Sequence, residues 1–99
     1  MSSGVQLSKN GAVVGTGALL NVTTVGFRPR RVQLVNDDGL VTGEWNDSMA
    51  DGDMSKRVTS GTMTKVTTTG ITPLSNGFSI GADTDMNVAG EKVHWVAHE

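Results

Sequence analysis

The sequence predicts an all-β fold: an antiparallel β-sandwich, jelly-roll-like, of about seven to eight short strands. Three observations carry this. Thirteen Val, twelve Thr and two Ile give many β-branched side chains, whose stiff χ1 suits a pleated surface better than a helix. Thirteen Gly supply the positive φ of tight turns. Six Leu and six Ala are too few for a helical bundle.

The elements follow in chain order. "KNG" at 9–11 is an Asn-Gly hairpin signal, so residues 1–15 are expected to form an N-terminal hairpin or arm, with strands near Val5–Leu7 and Ala12–Val14. "TGALLNVTTV" continues extended to Val25, and "GFRPR" turns because Pro29 keeps Arg28 out of helical geometry. "RVQLVN" alternates, Val32 and Leu34 on one face against Arg31, Gln33 and Val35 on the other. "DDG" at 37–39 is a hairpin turn, after which "LVTGEWN" sets Val41 and Trp45 opposite Thr42 and Glu44.

"DSMADGDM" at 47–54 is the longest candidate loop, acidic and bearing two Met. The stretch Ser55–Thr69 is extended and Thr-rich, interrupted at Gly61, with Val58, Met63 and Val66 as its sizeable apolar side chains. So polar a segment is expected at a sheet edge, where it pairs with another subunit. "TPLSNG" at 72–77 is a turn cluster.

From Phe78 to Val88 the even positions are Phe, Ile, Ala, Thr, Met and Val, and the odd ones Ser, Gly, Asp, Asp and Asn. This period of two predicts one half-buried strand. It competes with a calcium-loop opening, because Asp83, Asp85 and Asn87 spell D-x-D-x-N. A full loop needs Gly at its sixth position and Glu at its twelfth, which here are Val88 and His94. The strand reading is preferred, with Asp83 and Asp85 facing solvent roughly 6.5–7 Å apart; no metal or cofactor is expected. Asn87–Gly90 then turns, and 91–98 returns as the partner strand, with Val93, Trp95 and Ala97 on its inner face.

The totals exclude several functions. Ninety-nine residues make one domain, which buries about 64 % of its unfolded surface, so assembly is a natural source of added stability. No cysteine is present, which removes disulfides and thiolate metal sites. A net charge of −2 and a pI near 5.5 argue against direct nucleic-acid binding. No apolar run approaches the roughly 20 residues that span a bilayer, and "MSSGVQLSKNG" has no signal-peptide pattern.

Catalytic chemistry finds no constellation. His94 and His98 would stand about 13 Å apart on a strand, too far to share an ion. No nucleophile elbow accompanies them, and no enzyme activity is expected. Trp45 and Trp95 could stack on sugars but lie on the apolar faces of their strands. The basic clusters Arg28, Arg30, Arg31 and Lys56, Arg57 suit carboxylates across a subunit contact.

"NVTTVGFRPRRVQLVND", "EWNDSMADGD" and "GITPLSNGFSIGADTDMNVAGEKVHWVA" together resemble a type of small all-β virion structural protein from tailed bacteriophages. The pattern runs GFxP, Trp with a "MADG" loop, GFxIG, NxxG and a terminal HWVA strand, over residues 21–97. The resemblance implies a virion protein on the capsid surface or in the tail, made in the host cytoplasm and repeated around a symmetry axis. Phe27, Pro29, Trp45, Phe78, Gly81, Asn87, Gly90 and Trp95 are then fold determinants. Capsid decoration (cement) is the expected role, with the major capsid protein and further copies of the chain, as a trimer, for partners. The alternative is a head- or tail-fibre tip that binds host surface carbohydrate. Contact candidates are Arg28, Arg30, Arg31, Met49, Asp51, Asp53, Met54, Lys56, Arg57, Lys65 and Val66. Among these, Lys56, Arg57 and Lys65 are expected as edge charges meeting Asp51 and Asp53 of a neighbour.

Overall fold

The structure, a computed structural model, describes residues 7–99. Its strands are β1 (Ser8–Val14), β2 (Leu20–Val22), β3 (Arg31–Asn36), β4 (Val41–Asn46), β5 (Met54–Arg57), β6 (Met63–Val66), β7 (Ile71–Leu74), β8 (Gly77–Ile80) and β9 (Lys92–His98). They build two antiparallel sheets, a six-stranded one in the order β1-β9-β3-β4-β5-β6 and a three-stranded one in the order β2-β8-β7. Among the described residues there is no helix, and the strands number nine rather than seven or eight. The extra one arises because Ser55–Thr69 is not a single strand. It folds into the β5–β6 hairpin around Gly61, whose φ of 87° only Gly adopts without strain.

The core lies between the sheets. Val32, Leu34, Val41, Trp45, Val93, Trp95 and Ala97 come from the large sheet, and Val22, Ile71, Phe78 and Ile80 from the small one. The alternation in β3, β4 and β9 thus places the residues the sequence indicates, and both tryptophans are core. Phe78, on the middle strand of the small sheet, meets Trp95 edge to face with ring centroids 5.6 Å apart. Gly11, the register partner of Trp95, leaves the space the indole fills: a Cβ there would lie 2.7 Å from the ring.

Several local expectations fail for non-local reasons. Asn10–Gly11 makes no turn; β1 runs unbroken because β9 pairs with it from Ser8↔His98 to Val14↔Lys92. Val5 and Gln6 of the expected N-terminal strand lie outside the described residues. Thr72–Leu74 are strand, not turn, leaving Ser75–Asn76 as a two-residue hairpin loop. Pro73 is tolerated because β7 is an edge strand. β8 stops at Ile80, and β9 pairs with β1 and β3 rather than with the 78–88 segment. The chain exposes 5313 Å², against about 5400 Å² for a compact monomer of this mass. Its exposed area is thus that of a compact monomer.

Candidate functional site

Two places gather side chains with chemistry. The first is the outer face of the six-stranded sheet. Strand register aligns its side chains into rows that cross the sheet. One row reads Asn10, Val96, Gln33, Glu44, Ser55, Lys65; the next reads Ala12, His94, Val35, Thr42, Arg57, Met63. A shorter row holds Ser8, His98, Arg31 and Asn46. Between β9 and β6 this face forms an open depression of about 760 Å³, bordered by Met49. Arg31 reaches Glu44 at 3.5 Å, and His94 Nε2 lies 2.9 Å from the Asp37 carboxylate. Val35 and Met63 remain 38 % and 57 % exposed. The surface is broad, mixed in charge and seeded with apolar side chains.

The second place answers the D-x-D-x-N question, and neither expectation holds. Residues 83–87 form a turn in which Asp83 Oδ2 accepts from the backbone N–H of Asp85 (3.1 Å) and Met86 (2.9 Å). Asp83 and Asp85 do converge on a cation, but it is a side chain. Lys56 Nζ lies 2.9 Å from Asp83 Oδ1, 3.2 Å from its Oδ2 and 2.7 Å from Asp85 Oδ2. Lys56 and Asp83 are almost fully buried, while Asp85 is half exposed. Asn87 turns the other way. Its Oδ1 accepts from Thr16 N–H and its Nδ2 donates to the Ala18 and Gly81 carbonyls, tying the 16–18 loop to the end of β8.

Lys56 points inward because its row on the inner face is Gly11, Trp95, Leu34, Gly43, Lys56, Thr64. Gly43, its partner on β4, makes room for the two methionines beside it: a Cβ there would lie 2.5 Å from Met54 Sδ and 3.1 Å from Met86 Cε. Burial lowers the ammonium's pKa, but hydrogen bonds and charge from Asp85 and Asp83 outweigh it, and the net shift is upward from 10.5. While the contact is ionic, its stabilisation is complete below 10.5 and is lost as pH rises through the higher folded value.

The contact candidates therefore divide. Arg31, Arg57 and Lys65 lie on the outer sheet face, and Met49 borders its depression while packing partly on the core. Arg28 pairs with Asp47 within its own chain at 3.2 Å, and Arg30 and Asp51 are exposed elsewhere. Four are corrected. Met54 is 0 % exposed and Val66 9 %, both in the core; Asp53 is buried; and Lys56 is a buried ion rather than an edge charge. Gln33, Thr42, Glu44, Asn46 and Met63 were missed as members of one surface. Alternation puts several of them outward, but only register makes them neighbours.

Among the described residues, no three His, Cys, Asp or Glu side chains gather where one metal ion could bind them, and no helix is long and apolar enough to cross a membrane. With Trp45 and Trp95 in the core, neither offers a platform for stacking a sugar. Searches against protein-family models, curated proteins and solved structures find no match to the chain.

Proposed function

We propose that this chain is a non-enzymatic structural protein of a bacteriophage virion, a capsid decoration protein that binds the head lattice. The motif resemblance over residues 21–97 supports the reading. One structural observation carries it further: the six-stranded sheet presents a continuous outer face flanked by two strands, β1 and β6, that are its edges among the described residues. A decoration protein works by burying surface on its lattice. The free energy of that contact adds to the stability of the shell wherever the bound state is favoured. Quantitative mass spectrometry of purified virions tests the assignment. Hundreds of copies per particle are expected; a handful would place the protein in the tail or at a vertex.

Self-assembly in this reading uses β6. Val58 N–H donates to Thr62 O, and the register then pairs Lys56 with Thr64 as partners that exchange hydrogen bonds. Met63 and Lys65 therefore direct their backbone groups outward from this edge. Proline at such a position removes an outward donor and spares the β5–β6 ladder. Lys65→Pro is expected to turn a wild-type oligomer into a folded monomer in sedimentation equilibrium at micromolar concentration. An unchanged oligomer would remove β6 from the contact.

A further inference from the structure

We propose that Lys56 and Asp83 are the reactants of an intramolecular isopeptide bond, formed in the folded chain with Asp85 as the proton carrier. Three features of the cluster point to a reaction rather than to a resting ion pair alone.

The amine is held against its electrophile. Nζ sits within 3.2 Å of both Asp83 oxygens, from a side chain that the strand register directs inward. Fixing reactants in this way corresponds to effective molarities of about 10⁵–10⁸ M. Condensation that is unfavourable between free molecules in water thereby becomes accessible.

The electrophile carries its own oxyanion site. Asp83 Oδ2 already accepts two backbone N–H groups, from Asp85 and Met86, at 3.1 and 2.9 Å. Those donors would hold the negative oxygen of a tetrahedral intermediate and afterwards the amide carbonyl. The remaining oxygen, Oδ1, faces Nζ at 2.9 Å and is the leaving atom.

A base lies on the amine. Asp85 Oδ2 is 2.7 Å from Nζ, and its half-exposed carboxylate can pass protons onward. The step balances within the triad. The ammonium gives a proton to Asp85, and the freed lone pair attacks Asp83 Cγ. The C–Oδ1 bond then breaks as a Cγ–Nζ amide bond forms. In all, Nζ loses two protons, Asp85 relays both to Oδ1, and Oδ1 departs as water. Asp85 ends as a carboxylate, and no oxidant or other reagent is consumed.

The surroundings favour the product. Lys56 and Asp83 are 8 % and 5 % exposed, and the fully buried Met54 and Met86 pack at Gly43, the register partner of Lys56. Two buried charges carry a desolvation cost that only close pairing offsets. Condensation removes both charges and leaves a neutral amide whose oxygen keeps its donors. The bond would join β5 of the large sheet covalently to the turn that follows β8 of the small one.

Intact-mass spectrometry of the full chain, purified folded and then denatured, tests this directly. The expected mass is lower than the sequence mass by one water, with a proteolytic fragment in which Lys56 and Asp83 are joined. Lys56→Arg and Asp83→Ala should restore the full sequence mass. Asp85→Ala, which keeps both reactants, should leave most of the chain unlinked. Stability offers a second reading. The linked protein has no Lys56 amine to titrate and should not lose this contact as pH is carried past 10.5, whereas the ionic contact would. Folded wild-type protein at its full sequence mass, after prolonged incubation at neutral pH, overturns the proposal and leaves the cluster as an ion triad. Neither result bears on the virion role.

Discussion

Measured against the chain with the Lys56–Asp83 contact still ionic, Lys56→Met is expected to lower stability by about 3–5 kcal/mol, the usual result of removing one member of a buried charge pair. The variant leaves the Asp83 carboxylate 5 % exposed, with two backbone donors and no cation on it. Methionine fits the volume, so the loss reads out charge and not packing. In a domain of this length the melting temperature should fall by about 12 °C or more, since each kcal/mol moves it roughly 4–8 °C. Adding Asp83→Asn should recover about 1–3 kcal/mol relative to the single variant, because the amide oxygen can still accept the turn's N–H groups without a buried charge. Calorimetry on the two variants checks both statements. A single variant within 1 kcal/mol of wild type, or a double variant no better than the single, would show that water reaches Asp83.

Phe78→Ala is the other large effect, expected at about 3–5 kcal/mol from lost burial and the cavity left behind. Phe78 is 0 % exposed on the middle strand of the small sheet, and its ring meets Trp95 on β9. Small-sheet side chains have few alternative partners, since β2 and β7 are edge strands of three and four residues. Collapse around the void would have to move whole strands, which keeps the cost near the top of the range. Phe78→Leu should cost less than half as much, because most of the volume survives. Urea denaturation of both variants gives the comparison, and equal midpoints would mean that the sheets are not held through this contact.

The sequence by itself determined the layer of chemistry that is local. β-branched residues and period-two alternation identify the strands Arg31–Asn36, Val41–Asn46 and Lys92–His98, with the inward faces of each, because a strand's side chains alternate whatever it pairs with. Core positions for Trp45, Phe78 and Trp95 follow from the same pattern. Tertiary structure decided everything in which a polar side chain is buried. Alternation treats polar as outward, so it made Asp83 and Asp85 a solvent row and Lys56 an edge charge. All three are instead drawn together, because an ammonium distant in sequence meets both carboxylates while the local turn's own N–H groups hold Asp83. Asn36, fully buried and donating to Glu91 and the Asp85 carbonyl, belongs to the same class. Register is the other non-local term. Val5–Val14 resembles a hairpin until β9 offers Ser8–Val14 an unbroken partner. The rows of the outer sheet face exist only once five pairings are fixed across six strands. Hydrogen bonds between strands far apart in the chain choose those pairings, and no window of the sequence contains both partners.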